Sequence, residues 1–155
     1  MTDMPQTAPD FTLPVHPGDT VTLSHLRNGL VVLFFYPRDD TSGCTKEAIA
    51  FSQHKDAFSQ AGCKVFGISK DSIASHAKFA NKHDITVPLL SDEHGQTCEE
   101  YQVWMEKNMY GKKFMGIERA TFLIDSDGRI VKTWRKVKVP GHVEDVLAAV
   151  KAAWD

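Results

Sequence analysis

The chain has 155 residues, 42% hydrophobic and 25% charged, with 18 Lys plus Arg against 20 Asp plus Glu and a formal charge of −2. That supplies apolar material for one core and excludes wholesale disorder, so a single domain over residues 1–155 is expected. There is no general basic field for nucleic acid, no run of ~20 apolar residues to span a bilayer and no secretory pattern in the start MTDMPQTAPD, so a cytoplasmic location is expected.

The first extended segment is predicted over Thr20–Leu26. Leu30–Tyr36 (LVVLFFY) is apolar or aromatic throughout and ends at Pro37, as in a central strand buried on both faces. A helix is predicted from Cys44 to Ala61, stopped by Gly62. On it Cys44, Ala48, Phe51 and Phe58 fall within an arc of roughly 80°, which puts Cys44 in the first turn and on the core side. Val65–Ser69 reads as a second buried strand. Asp71 and Ser72 can cap a helix with Ile73, Ala77 and Ala80 on its apolar face. Thr86–Leu90 is a short strand in which Pro88 argues for an edge or a bend. Gln96–Tyr101 is a short helix, and residues 105–118 lack a period and read as an ordered loop. Thr121–Asp125 and Ile130–Trp134 form a hairpin around Ser-Asp-Gly. Val143, Val146, Leu147 and Val150 mark a closing amphipathic helix. This order predicts an α/β fold, a mixed sheet with helices on both faces.

Cys44 is the residue that points to chemistry. A buried strand ends, a polar turn-rich loop (Asp39 to Gly43) follows, and the thiol opens a helix. Loops at the carboxyl ends of buried strands are where α/β sheets place their sites. The first N–H groups of a helix lack intrahelical partners, and the helix dipole adds positive charge there, so both favour a nucleophilic thiolate over a thiol. The plainer reading of a lone cysteine is a small buried hydrophobe. The three cysteines are an odd number in a chain that does not read as a disulfide scaffold, so reduced thiols are expected.

Pro37, Thr41 and Cys44 match the Pro-x-x-x-Thr-x-x-Cys motif of the peroxiredoxins, and FYPRDDTSGCTKE is similar to the bacterioferritin comigratory protein, or Q-type, branch. The tract EKNMYGKKFMGIERATFLIDSDG resembles that branch too, with Arg119 where the family keeps its active-site arginine. The resemblance runs from about Pro9 to Val150. It implies a thioredoxin-like fold with a central mixed β-sheet flanked by α-helices. It implies a thiol-dependent peroxidase for hydrogen peroxide and organic hydroperoxides, in which the Cys44 thiolate becomes a sulfenic acid. Arg119 would supply a permanent cation, Thr41 would accept from the peroxide while donating to the sulfur or the second oxygen, and Pro37 would shield the sulfur. Glu47 favours the positive helix end and receives no catalytic role.

The chain departs from the branch at the second cysteine. The usual resolving positions, five residues after the first or in the next helix, hold Ile49 and a cysteine-free Ser72–His83. A one-cysteine route therefore leads, with thioredoxin, glutaredoxin or glutathione as reductant. Cys98 is a possible resolving residue, although Glu99 and Glu100 beside it would disfavour its thiolate. Cys63 reads as a core or strand-edge residue and is the lesser candidate for the resolving role. No Cys-x-x-Cys and no helical i, i+4 His pair occur, and Asp125–Gly128 is explained as a turn, so no metal or cofactor is expected. His76 and His83 read as solvated positions, and Lys107, Lys112 and Lys113 as solvent-facing. The branch suggests a monomer. A thiol–disulfide oxidoreductase or a holdase on the same scaffold is the competing reading.

Overall fold

A computed structural model describes residues 7–153. Its central sheet contains β1 (Thr12–His16), β2 (Thr20–Thr22), β3 (Leu30–Phe35), β4 (Cys63–Ser69), β5 (Leu89–Ser91), β8 (Ala120–Ile124) and β9 (Ile130–Trp134). The lateral order is β2-β1-β5-β4-β3-β8-β9. The three strands β3, β4 and β5 run parallel, and the strands flanking them are antiparallel, so the sheet is mixed.

β3 lies at the centre of the packing, and its alternation explains the apolar run. Leu30, Val32, Phe34 and Tyr36 face one core layer, while Val31, Leu33 and Phe35 face the other. The first layer is closed by α1 (Ser42–Gln53), α2 (Lys55–Gln60), α3 (Ile73–His83) and α5 (His142–Ala153). The second is closed by α4 (Thr97–Glu100), by Tyr101 and Val103 after it, and by Phe11. The helices therefore flank the sheet unequally. Among the described residues no helix is long and apolar enough to cross a membrane.

Several elements differ from expectation. The Thr20–Leu26 segment is a strand only to Thr22, then a single 3-10 turn over Leu23–His25; its partner β1, with Leu13 and Val15 inward, was hidden by Pro14. The long helix is broken at His54, whose backbone N–H and ring Nδ1 both lie against the Ala50 carbonyl. β5 is an inner strand: Pro88 precedes it, lacks a donor, and still accepts from Gly67 N–H. On α3 the buried residues are His76, Phe79 and Ala80, with Ser72 Oγ capping Ser75 N–H. Residues 105–118 are no loop. They form most of a hairpin, β6 (Trp104–Met109) and β7 (Lys112–Ile117), outside the main sheet and turned by Tyr110 and Gly111 at positive φ. Both hairpin faces are largely open, so no apolar–polar alternation marked it.

Candidate active site

α1 starts immediately beyond the carboxyl end of β3. Thr41 is its N-cap in extended conformation, and Cys44 is its third residue. Cys44 therefore stands among the unpartnered N–H groups of the first turn, only 1% exposed. Ala120 pairs with Phe35 across β8 and β3, which brings Arg119 level with the point where β3 becomes the loop. Arg119 Nη2 donates to Cys44 Sγ at 3.4 Å, and Nη1 donates to Glu47 Oε1 at 2.7 Å. Gly43 makes room for this: a Cβ there would sit 3.1 Å from Arg119 Nη2.

The electrostatics follow from burial and one shared cation. Glu47 is fully buried, and its Oε2 has no hydrogen-bond partner. Burial pushes its carboxyl up to about 7 against the opposing pull of Arg119. Burial alone would lower Arg119, but Glu47 and Cys44 outweigh it and raise it. Lys107 on β6 is half-buried rather than solvent-facing, lying across Gly116. Burial and the Arg119 charge hold its ammonium below the usual range, while the Cys44 charge opposes them, so Lys107 is within electrostatic reach of the thiol.

Thr41 is exposed, and its hydroxyl donates to the Arg38 carbonyl at 2.9 Å. The hydrogen thus goes to the loop rather than to the sulfur, and the oxygen lone pairs remain free to accept. Pro37 is half-buried where β3 ends. The loop itself is tied to α3: Asp40 accepts from Lys82 Nζ at 2.8 Å and pairs with His83 at 2.7 Å. Asp39 is buried and contacts Tyr36, Ser75 and His76. His76 is fully buried and His83 is paired, so neither is a free solvated position.

The structure brings together Cys44, Arg119 and the Pro37–Thr41 loop, as the residues implied. It does not bring in the other thiols. Cys98 lies in the core layer on the opposite face of the sheet from Cys44. Burial raises its thiol, with Asp92 adding to the effect; Asp92 rather than Glu100 is the carboxylate that matters, with Glu99 a lesser contributor. Cys63 pairs in register with Leu30, at the end of β3 far from the loop, and burial pushes it up to about 12. Glu47, left without a role from its sequence position, is tied to Cys44 through Arg119; its i+3 spacing from Cys44 was the available signal, but its burial was not.

Comparison with known proteins agrees with this geometry. The AhpC/TSA family matches residues 4–133. Peroxiredoxin Bcp of Bacillus subtilis is 44% identical over 146 residues, covering 94% of this chain and 93% of that protein. Among solved structures, PrxQ of Xylella fastidiosa aligns with a TM-score of 0.91 at 38% identity over 100% of both chains. The bacterioferritin comigratory protein of Xanthomonas campestris, whose structures concern alkyl peroxide reduction, aligns at 0.88 and 43% identity over 94% of this chain and 92% of that one. With a helix-opening thiol against a guanidinium on a thioredoxin-like sheet, this chain belongs to the AhpC/TSA family, in its Bcp or Q-type peroxiredoxin branch.

Proposed function

We propose that the chain is a thiol-dependent peroxidase in which Cys44 is the peroxidatic nucleophile, acting on hydrogen peroxide and organic hydroperoxides. The observation that carries this reading is the Cys44 sulfur in the first helical turn, 3.4 Å from Arg119 Nη2. The thiolate attacks the terminal oxygen of ROOH, an S–O bond forms as the O–O bond breaks, and the leaving alkoxide takes a proton to give ROH. Negative charge moves from sulfur to the leaving oxygen. Arg119 is a fixed cation that faces it throughout and needs no reorganisation at the moment of reaction. The Thr41 lone pairs accept the peroxide O–H, and Pro37, half-buried where β3 ends, shields the sulfur from water.

The regeneration step is a one-cysteine route. A disulfide needs Cα atoms within about 7 Å. The sheet stands between Cys44 and Cys98, and the length of β3, roughly 17 Å at about 3.3 Å per residue, separates the Cys44 end from Cys63. An external thiol from glutathione, glutaredoxin or thioredoxin therefore condenses with the sulfenic acid, releasing water. A second thiol then frees Cys44 as the external pair leaves as a disulfide. The three free cysteines suit a reducing compartment such as the cytoplasm, and a one-cysteine route asks nothing of a second copy of the chain, in keeping with a monomer.

Intact mass after one equivalent of peroxide tests both steps. The expected product gains one oxygen, reacts with a sulfenic-acid probe, and is lost in Cys44→Ser. Cys98→Ala is expected to keep full turnover with glutathione. A loss of two hydrogens that disappears in Cys98→Ala would replace the one-cysteine route with an internal disulfide. Peroxide that persists with no oxygen gained at Cys44 would overturn the peroxidase reading.

A further inference from the structure

The loop that delivers Thr41 and Cys44 is fastened by a buried cluster that the peroxide chemistry does not use. His76 lies in the first half of α3 and is fully buried. Its Nε2 is 2.9 Å from the Leu90 carbonyl oxygen of β5, and its Nδ1 is 2.8 Å from Asp39 Oδ2. A carbonyl oxygen only accepts, so Nε2 must carry hydrogen. A neutral imidazole has one N–H, and a neutral ring would then turn a bare Nδ1 toward the carboxyl group.

The carboxyl group is set up as an acceptor. Tyr36 OH donates to Asp39 Oδ1 at 2.7 Å, and Ser75 Oγ donates to Asp39 Oδ2 at 2.7 Å. Burial, reinforced by Asp39, keeps the Tyr36 phenol protonated and therefore a donor. Asp71, the other acid facing this cluster, is occupied in receiving Asp39 N–H at 2.8 Å and Ser69 Oγ at 2.6 Å. Asp39, Asp71 and His76 have the donor types of a metal site, yet the atoms they would offer are already committed to one another and to these hydroxyl and amide groups. An Asp39 carboxylate with two hydroxyl donors leaves the remaining hydrogen to the ring.

We infer that His76 is a positioning residue for the peroxidase reaction: as an imidazolium with hydrogen on both ring nitrogens, it pairs with Asp39 and holds the Pro37–Thr41 loop where Thr41 and Cys44 meet a peroxide. The protonation of the pair stands on its own geometry, while the positioning role rests on the peroxidase reading. The pair joins β3, the loop, α3 and β5 at one point. Removing one member leaves a buried charge or donor without its partner, and Asp39 carries that loss into the loop that leads to Thr41.

Long-range 1H–15N spectra of the wild-type protein at neutral pH test the pair directly, with the His76 signals identified by their loss in His76→Gln. Both ring nitrogens are expected to carry directly bonded hydrogen; a bare nitrogen overturns the inference. For the positioning role, His76→Phe is expected to slow peroxide oxidation of Cys44 roughly 10- to 100-fold, the scale of a small misplacement of a reacting group. Alkylation of the same thiol by iodoacetamide, which does not need Thr41 to hold a peroxide, is expected to change little. Parallel loss of both rates, or of neither, overturns the role. Should His76→Phe not fold, Asp39→Asn keeps the shape, and the same split between the two rates is expected. Wild-type protein that consumes no peroxide would refute the peroxidase reading and leave the ring spectrum to decide the pairing.

Discussion

Arg119 holds two acids with one guanidinium, the Cys44 sulfur and the Glu47 carboxyl. Arg119→Ala is expected to lower the second-order rate with hydrogen peroxide by roughly 10²–10³, the cost of losing one preorganised donor, as stopped-flow fluorescence would show. Glu47 behaves differently because its carboxyl is raised from 4.5 to about 7. Between those values the folded state keeps the proton that the unfolded chain has released. The folded state binds more protons, so this group's contribution to stability falls as pH rises through that window. The difference in unfolding free energy between wild type and Glu47→Gln should therefore shift against the wild type from pH 4.5 to 7, measured by urea titration. Residue type and motif singled out Cys44, Thr41, Pro37 and Arg119, and the structure sets Arg119 against Cys44 beside the Pro37–Thr41 loop, with the Thr41 hydrogen turned to Arg38 instead of the sulfur. The burial of Glu47 and His76 was not legible, because a carboxylate in a first turn and a histidine on a helix read as solvated until the tertiary packing is known.

α5 illustrates the same point for an element. Its apolar face was legible as Val143, Val146, Leu147 and Val150; the three valines are buried and Leu147 is half-buried against the same layer. The anchor at its start was not. His142 Nε2 lies 2.8 Å from Thr121 Oγ1, and the ring stands edge-on to Phe51 and Trp134. Burial holds the imidazole down at about 4, so the folded ring stays neutral where the unfolded one takes a proton. The unfolded state then binds more protons, and stability is lost as pH falls from 6.5 to about 4. This runs against the Glu47 contribution over much of the same range. His142→Gln should flatten the acid side of the stability profile, and an unchanged slope would contradict the neutral buried ring. The β6–β7 hairpin escaped sequence reading for the opposite reason: with both faces open, its residues carry no burial contrast.

Across the molecule, the sheet is both support and partition. Phe34 of β3 stacks on Phe51 of α1 with ring centroids 4.4 Å apart, so the helix that carries Cys44 is pressed onto the central strand. Phe51→Ala should cost about 3–5 kcal/mol in chemical denaturation, as for other buried aromatic truncations; a loss under 1 kcal/mol would mean that the layer repacks. The buried central strand, the closing amphipathic helix and the thiol at a helix start were determined by the linear pattern alone, because apolar periodicity and turn residues act over a few neighbours, whereas β1, the break at His54 and the β6–β7 hairpin were not. Tertiary structure decided which face each cysteine occupies, that Arg119 reaches across from β8 to a thiol 75 positions earlier in the chain, and that Asp39 and His76 meet out of water. Those depend on strand order and on exclusion of solvent between distant segments, which no local pattern encodes.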